Sequence, residues 1–232
     1  MGPHIVSSFD DDLTMIEAKI SEMGGLAEEL LSGALTAVEK RDTVLAQSVI
    51  ERDDKLDALE MEIEEMATNT IALRQPMAQD LRILLSALKI SNTLERIGDL
   101  AKNVAKRAMT FSRLGRITLT SSILRMGRAT QAQLAEVLTA YSARDTEAAV
   151  AVWRKDVDID EMYNALFREL VSYMMEDSRM IGAGAQMLFI AKNLERIGDH
   201  TTHISEIVYY IRVGEPLGDD RPKGEPLGLD LE

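Results

Sequence analysis

Residues 94–99 read Leu-Glu-Arg-Ile-Gly-Asp, and residues 194–199 read the same six residues again. Each copy carries a Glu four residues before an Asp: Glu95 with Asp99, and Glu195 with Asp199. Side chains four apart share one face of a helix. Two carboxylates there repel each other, so something nearby is expected to hold them. The recurrence points to an internally duplicated chain with a duplicated acidic site.

The residues around each copy show what kind of helix carries it. Ile83, Ala87, Ile90, Leu94, Ile97, Ala101, Val104, Ala108 and Phe111 alternate spacings of four and three, the seam of a helical bundle. Met187, Ile190, Leu194, Ile197, Ile204, Val208 and Ile211 repeat it, with Thr201 intruding. A second pair of stripes precedes them. Leu45, Val49, Leu56, Leu59, Ile63, Met66 and Leu73 are interrupted by Arg52, and Val152, Ile159, Met162 and Leu166 by Lys155 at the matching place. The duplication extends further still. Arg41-Asp42-Thr43 matches Arg144-Asp145-Thr146, and Asp53-Asp54-Lys55-Leu56-Asp57 matches Asp156-Val157-Asp158-Ile159-Asp160, both at an offset of 103.

Six helical stretches are expected, near 9–41, 43–73, 77–113, 117–143, 146–176 and 181–212, with Pro76 in a first helical turn. Short connections make neighbours antiparallel. The fold is therefore all-α: two tandem three-helix bundles, residues 1–115 and 116–213, followed by a disordered acidic tail, 214–232. That tail holds GEPLG twice, with six acids against two bases.

Composition agrees. Of the 232 residues 46% are hydrophobic, enough for a sizeable core, but only 4% are aromatic, which disfavours a β-sandwich. Thirteen methionines suit gaps in helical packing. A net charge of −13 makes direct DNA or RNA binding a poor match. No cysteine is present, which removes disulfides, thiolate metal sites and cysteine nucleophiles. The most apolar stretch, residues 180–191, is too short to span a bilayer. No signal peptide is visible at the N-terminus, and the chain reads as cytoplasmic, with membrane contact only through a partner.

Each half holds two acidic pairs at the same spacing: Asp53 with Asp57 and Glu95 with Asp99, then Asp156 with Asp160 and Glu195 with Asp199. All flank the seams. Two adjacent antiparallel helices would bring four carboxylates to a groove edge, a hard, oxygen-rich cation site. Two other accounts stay open. Arg96 and Arg196 would pair with acids of neighbouring helices, or the acids are solvated helix faces. Gly98 and Gly198 are expected to let a helix approach closely. His203, four residues past Asp199, is either a further ligand or a solvent-facing residue, and Trp153 is a packing residue. Arg74, Asp80 and Arg82 make either an anion-binding cluster or salt bridges. GxxxxGK[ST], HExxH and GxSxG are absent, as is the Glu-x-x-His of di-iron bundles, so no catalytic residue is assigned. Two further readings stay open, a metal-dependent carboxylate enzyme and a metal-free scaffold.

The repeated LERIGD resembles the PhoU family. So do DDKLD at 53–57 and DVDID at 156–160, RQPMAQDLR at 74–82, YMMED at 173–177 and HIVSSFDDDL at 4–13. The resemblance spans about residues 4–213. The departures are Val157 against Asp54, and a second half without a counterpart of RQPMAQDLR. The resemblance implies an accessory protein of phosphate uptake that couples the ATPase subunit of a phosphate ABC transporter to a sensor histidine kinase. Such a protein represses the phosphate-starvation response and often forms a homodimer. It further implies surface clusters of iron, zinc, manganese or magnesium on the eight acids.

Overall fold

The computed structural model describes residues 3–114 and 120–218. Its regular elements are all helical: α1 (Pro3–Lys40), α2 (Thr43–Arg52), α3 (Asp54–Arg74), α4 (Gln79–Phe111), α5 (Thr120–Ala143), α6 (Thr146–Glu176), a short 3₁₀ turn (Ser178–Met180) and α7 (Ile181–Val213). Asp53 alone separates α2 from α3. Its φ and ψ of −62° and −34° remain helical, so the two make one rod. The expected order of six rods thus holds, with two shifts. α1 begins at Pro3 rather than near residue 9, and Pro76 lies in the α3–α4 connection, since α4 starts only at Gln79. The tail expected to be disordered lies, from residue 219 on, outside the described residues.

The repeated Arg-Asp-Thr is a helix reversal used twice. Arg41 and Arg144 take the left-handed conformation at φ 55° and 53°. The next amide turns back on the preceding helix, Asp42 N–H to the Ala37 carbonyl at 3.1 Å and Asp145 N–H to the Ala140 carbonyl at 2.9 Å. This is the six-residue Schellman closure, with arginine where glycine is usual. The same aspartates then cap the next helix. Asp42 Oδ1 accepts from Val44 and Leu45 N–H at 3.0 and 2.9 Å, and Asp145 Oδ1 accepts from Ala148 N–H at 3.0 Å.

α1, the α2–α3 rod and α4 pack as one three-rod unit, and α5, α6 and α7 as the second. α4 lies along α7, and α1 along α5, joining the units. The α4–α7 pair is antiparallel. Arg107, late in α4, sits 4.5 Å above the ring of Phe189, early in α7, while Lys89, early in α4, sits 5.8 Å from the ring of Tyr210, late in α7. The seam of α4 is buried from Ala87 to Phe111, and that of α7 at every expected position from Met187 to Val208, whereas Ile83 and Ile211 are half-buried at the ends. The intruding Thr201 is fully buried, because its hydroxyl donates to the Ile197 carbonyl at 2.8 Å and leaves no unmet donor. Leu73, expected on the seam of the second rod, is 79% exposed in its last turn. The intruding bases each find a glutamate on the preceding helix: Arg52 pairs with Glu29, and Lys155 with Glu136 at 2.7 Å.

Candidate metal centres

The first centre begins at the α2–α3 junction. The Asp53 carbonyl accepts from Leu56 N–H at 2.8 Å, which starts α3, and its side chain turns inward against α4. Gly98 makes room there, since a Cβ on it would overlap Leu56 and stand 3.1 Å from Asp53 Oδ1. The close-approach role expected of this glycine is therefore met. Asp53 is only 1% exposed. This corrects the expectation that every one of the acids flanks the core on the surface. Asp53 Oδ2 accepts from Lys102 Nζ at 2.5 Å, and Oδ1 is buried without a hydrogen-bond partner. Lys102 also reaches Asp99 Oδ1 at 3.5 Å.

Glu95, half-buried on α4, and the exposed Asp57 and Asp99 complete the group. Burial pushes the Glu95 carboxyl up to about 7, helped by the negative charges of Asp99, Glu60 and Asp57. Burial likewise raises Asp53, against the pull of Lys102. The four predicted acids therefore share one electrostatic neighbourhood. Glu60 belongs to it as well and accepts from Asn92 Nδ2 at 3.0 Å. Glu60 was legible as the next acid along α3 from Asp57, at i, i+3. Lys102 stands at the same i, i+3 spacing from Asp99, but nothing in that spacing says that it also reaches Asp53 on the neighbouring rod.

The second centre repeats the first with different partners. Asp156, 1% exposed within the unbroken α6, packs against Gly198 of α7, where an added Cβ would meet Asp156 Oδ1 at 3.4 Å. Thr202, at the position equivalent to Lys102, places its hydroxyl 3.0 Å from Asp156 Oδ1. Glu195 Oε1 accepts from Lys192 Nζ at 2.7 Å, while its Oε2 is buried without a hydrogen-bond partner. Burial raises the Glu195 carboxyl. Lys192 opposes the shift, and the charges of Asp199 and Asp160, both half-buried, add to it.

Lysines are among the cations that meet the acids, Lys102 in the first half and Lys192 in the second, and the charge of Arg96 also acts on Glu95. Arg96 Nε donates to Asn92 Oδ1 on its own helix, and both arginines lie near His200, whose pKa is lowered first by burial and then by these two charges. His203 turns to Glu206, at 3.1 Å, in the next turn of α7. Trp153 is buried as expected and also donates its indole N–H to Glu206 Oε1 at 3.2 Å. Arg74 bridges α3 to α1 through Asp12 at 3.2 Å, and Arg82 lies over Tyr210, so the cluster they were expected to form with Asp80 is spread over separate partners.

Among the described residues, no three acidic or histidine side chains converge as placed to ligate one metal ion. The donor set nevertheless fits a hard cation. All its atoms are carboxylate oxygens, two of them buried and unpartnered, and an ammonium already sits against two carboxylates of the first group.

A model of the PhoU domain matches the chain twice, at residues 20–108 and 123–208. The chain belongs to the PhoU family. Phosphate-specific transport system accessory protein PhoU homologs are similar to it over nearly their whole length. The one from Caulobacter vibrioides is 49% identical, over 96% of this chain and 97% of its own. The one from Rhizobium meliloti is 44% identical, over 96% and 94%. Among solved structures, PhoU from Pseudomonas aeruginosa superposes with a TM-score of 0.87 at 36% identity, covering 89% of this chain and all of that one. The phosphate transport system regulatory protein PhoU from Streptococcus pneumoniae superposes with a TM-score of 0.83 at 30% identity, over 90% and 99%. The two PhoU domains coincide with the three-rod units, and each contains one of the two acidic groups.

Proposed function

We propose that the chain is a cytoplasmic regulatory adaptor of phosphate homeostasis, and not an enzyme. It links the ATPase subunit of a phosphate ABC transporter to a sensor histidine kinase and represses the phosphate-starvation response when phosphate is plentiful. The observation that carries this reading is the near full-length likeness to proteins named for accessory and regulatory roles in phosphate transport, running through both repeats. No described helix is long and apolar enough to cross a membrane, so on this reading contact with the membrane runs through the transporter. The net charge of −13 fits protein partners better than nucleic acid. A homodimer is part of the same proposal.

Within that role the two clefts hold hard cations, drawn from iron, zinc, manganese and magnesium. Asp53, Asp57, Glu95 and Asp99 serve the first half, and Asp156, Asp160, Glu195 and Asp199 the second. A bound ion would supply the positive charge that ties α3 to α4 and α6 to α7. The chain's own part is to hold the buried Asp53 and Asp156 against glycine-lined helix faces, so that the ion joins two helices.

The two lysines favour a second reading, a metal-free scaffold in which Lys102 and Lys192 offset the carboxylates they touch without any metal. Elemental analysis of protein purified without chelators separates the two, since bound metal supports the first and its absence the second. The adaptor role is tested by capture of purified kinase cytoplasmic region and transporter ATPase on wild type, and on a variant with the eight acids changed to Asn or Gln. Wild type is expected to retain both partners and the variant to lose at least one. Failure of wild type to bind either partner would overturn the adaptor.

A further inference from the structure

We propose that the outer seam between α4 and α7 is a docking groove for an acidic helical segment of a protein partner. The inference gives the adaptor reading above a contact surface, and rests on that reading for who the partner is. Cationic side chains stand along the whole seam. At one end Arg107 of α4 lies 4.5 Å from the centre of the Phe189 ring of α7. At the other, Lys89 and Arg82 of α4 lie 5.8 and 5.9 Å from the Tyr210 ring. The Arg82 guanidinium also packs on Gly214, where a Cβ would overlap it. Midway, the charges of Arg96 from α4 and Arg196 from α7 both act on His200. Among the described residues, none of these five cations makes an ion pair, although the chain carries a net charge of −13. Arg96 acts on Glu95, its neighbour in sequence, only as a nearby charge.

The seam selects the shape of its occupant. From Phe189 to Tyr210 it covers about six turns, about 32 Å of helix. An isolated surface ion pair adds little. A row of cations on one line can be met together by one rigid segment, and those already laid over rings lose less freedom on pairing. The row is also narrow. Acids of the same two rods turn away from it on both sides, Asp99 toward Lys102 beside Asp53, and Glu195 toward α6, near Asp160. A nucleic-acid duplex or a bilayer is wide enough to bring its own negative charge against those acids. A single helix, about 10–12 Å across, fits between them. Phe189, 50% exposed, gives such a segment an apolar anchor at one end.

The test uses the full-length protein and a fluorescein-labelled helical peptide of about six turns with glutamates at i, i+4 spacing, followed by fluorescence anisotropy at low ionic strength. Wild type should bind it. K89E/R196E, which reverses two exposed cations of the seam, should weaken binding by at least about tenfold. R128E/R154E makes the same change of net charge at exposed positions on α5 and α6 and should match wild type within about twofold. Circular dichroism checks that each variant is folded, and K89Q/R196Q, which only removes charge, should weaken binding in the same direction. No binding by wild type, or equal weakening by the two reversed pairs, would overturn the inference. So would dissociation of a wild-type dimer by K89E/R196E, which would give the seam to a second copy, or tenfold tighter peptide binding after removal of residues 219–232, which would give it to the chain's own acidic end. Capture of the purified kinase cytoplasmic region and transporter ATPase then names the partner, with K89E/R196E expected to lose at least one that wild type retains. Undiminished capture of both by that variant would overturn the inference and leave the adaptor standing. Capture of neither by wild type would remove the adaptor, and peptide binding would still decide the seam.

Discussion

Gly24 on α1 receives the side chain of Leu138 on α5: a Cβ at Gly24 would stand 2.9 Å from Leu138 Cδ2. The reciprocal notch exists. Gly127 on α5 receives Leu35 of α1, where an added Cβ would meet Leu35 Cδ1 at 3.0 Å and overlap Cδ2. Gly24 and Gly127 are 103 residues apart in sequence, as are Leu35 and Leu138. The duplication thus supplies both knob and hole, and the first rods of the two halves lock through a pair of like contacts. G127A should cost stability. Overpacking costs about 1–3 kcal/mol, while the better helix propensity of alanine returns about 1 kcal/mol. A net loss of about 1 kcal/mol in urea melts is expected for G127A, with less for G24A, whose clash is milder. In the cycle of G127A with L35A the double variant should lose less than the sum of the two singles. Strict additivity would show that the notch is not a contact.

Glu95 sets the sign of a pH effect. Its folded carboxyl sits at about 7 against an ordinary value of 4.5, so the folded chain holds a proton there that the unfolded chain releases. Its stabilising contribution is complete below the ordinary value and is lost as pH rises through about 7. Asp53 and Glu195, also raised, act in the same direction. Between pH 5 and 8 the metal-free protein should therefore lose melting temperature, and E95Q should flatten that slope. Manganese should stabilise wild type more at pH 8 than at pH 5, because a cation then takes the place of the departed proton. A slope equally steep in E95Q would place its origin elsewhere.

The fold was legible because helical signals are local. Spacings of three and four gave the seams of α4 and α7, and repeated Arg-Asp-Thr gave two of the reversals. The glycine of each LERIGD gave the close approach of α4 to α3 and of α7 to α6. Less of the site was visible. Spacing along one helix says which acids share a face, but it does not say how far that face tilts toward a neighbour. Asp53 and Asp156 were therefore read as surface groups, although each is pressed against a glycine and buried. Lys102 and Thr202 occupy matching positions in the duplication, yet their roles depend on side-chain reach between rods, which periodicity does not encode. The Gly–Leu notches were present as matching letters at an offset of 103 but fall outside any acidic or apolar stripe.

The two aspartate caps offer a comparison inside one molecule. Asp42 satisfies two amides of α2, and Asp145 one amide of α6. Loss of such a cap costs about 0.5–2 kcal/mol. D42A is expected to lose more than D145A in urea melts, with D42N and D145N losing little because an amide oxygen still accepts. Equal loss in alanine and asparagine variants would mean that charge, and not the cap, carries the effect.

Trp153 separates packing from polar contact on α6. The side chain is 9% exposed, and its indole N–H donates to Glu206 Oε1 at 3.2 Å, while the other oxygen of Glu206 lies 3.1 Å from His203 Nδ1. Glu206 has a side chain 38% exposed, so when the indole is removed its carboxylate can be hydrated and is not stranded. W153F therefore loses one hydrogen bond and part of the ring area, about 1 kcal/mol. W153A also loses the ring and opens a cavity, about 3–5 kcal/mol. Because Trp153 is the single tryptophan of the chain, its fluorescence follows the unfolding of the second unit without labelling. E206Q should leave the melting curve nearly unchanged, since the amide oxygen still accepts from the indole. If E206Q destabilised as much as W153A, the carboxylate would be the anchor and the ring incidental, the reverse of what its burial argues.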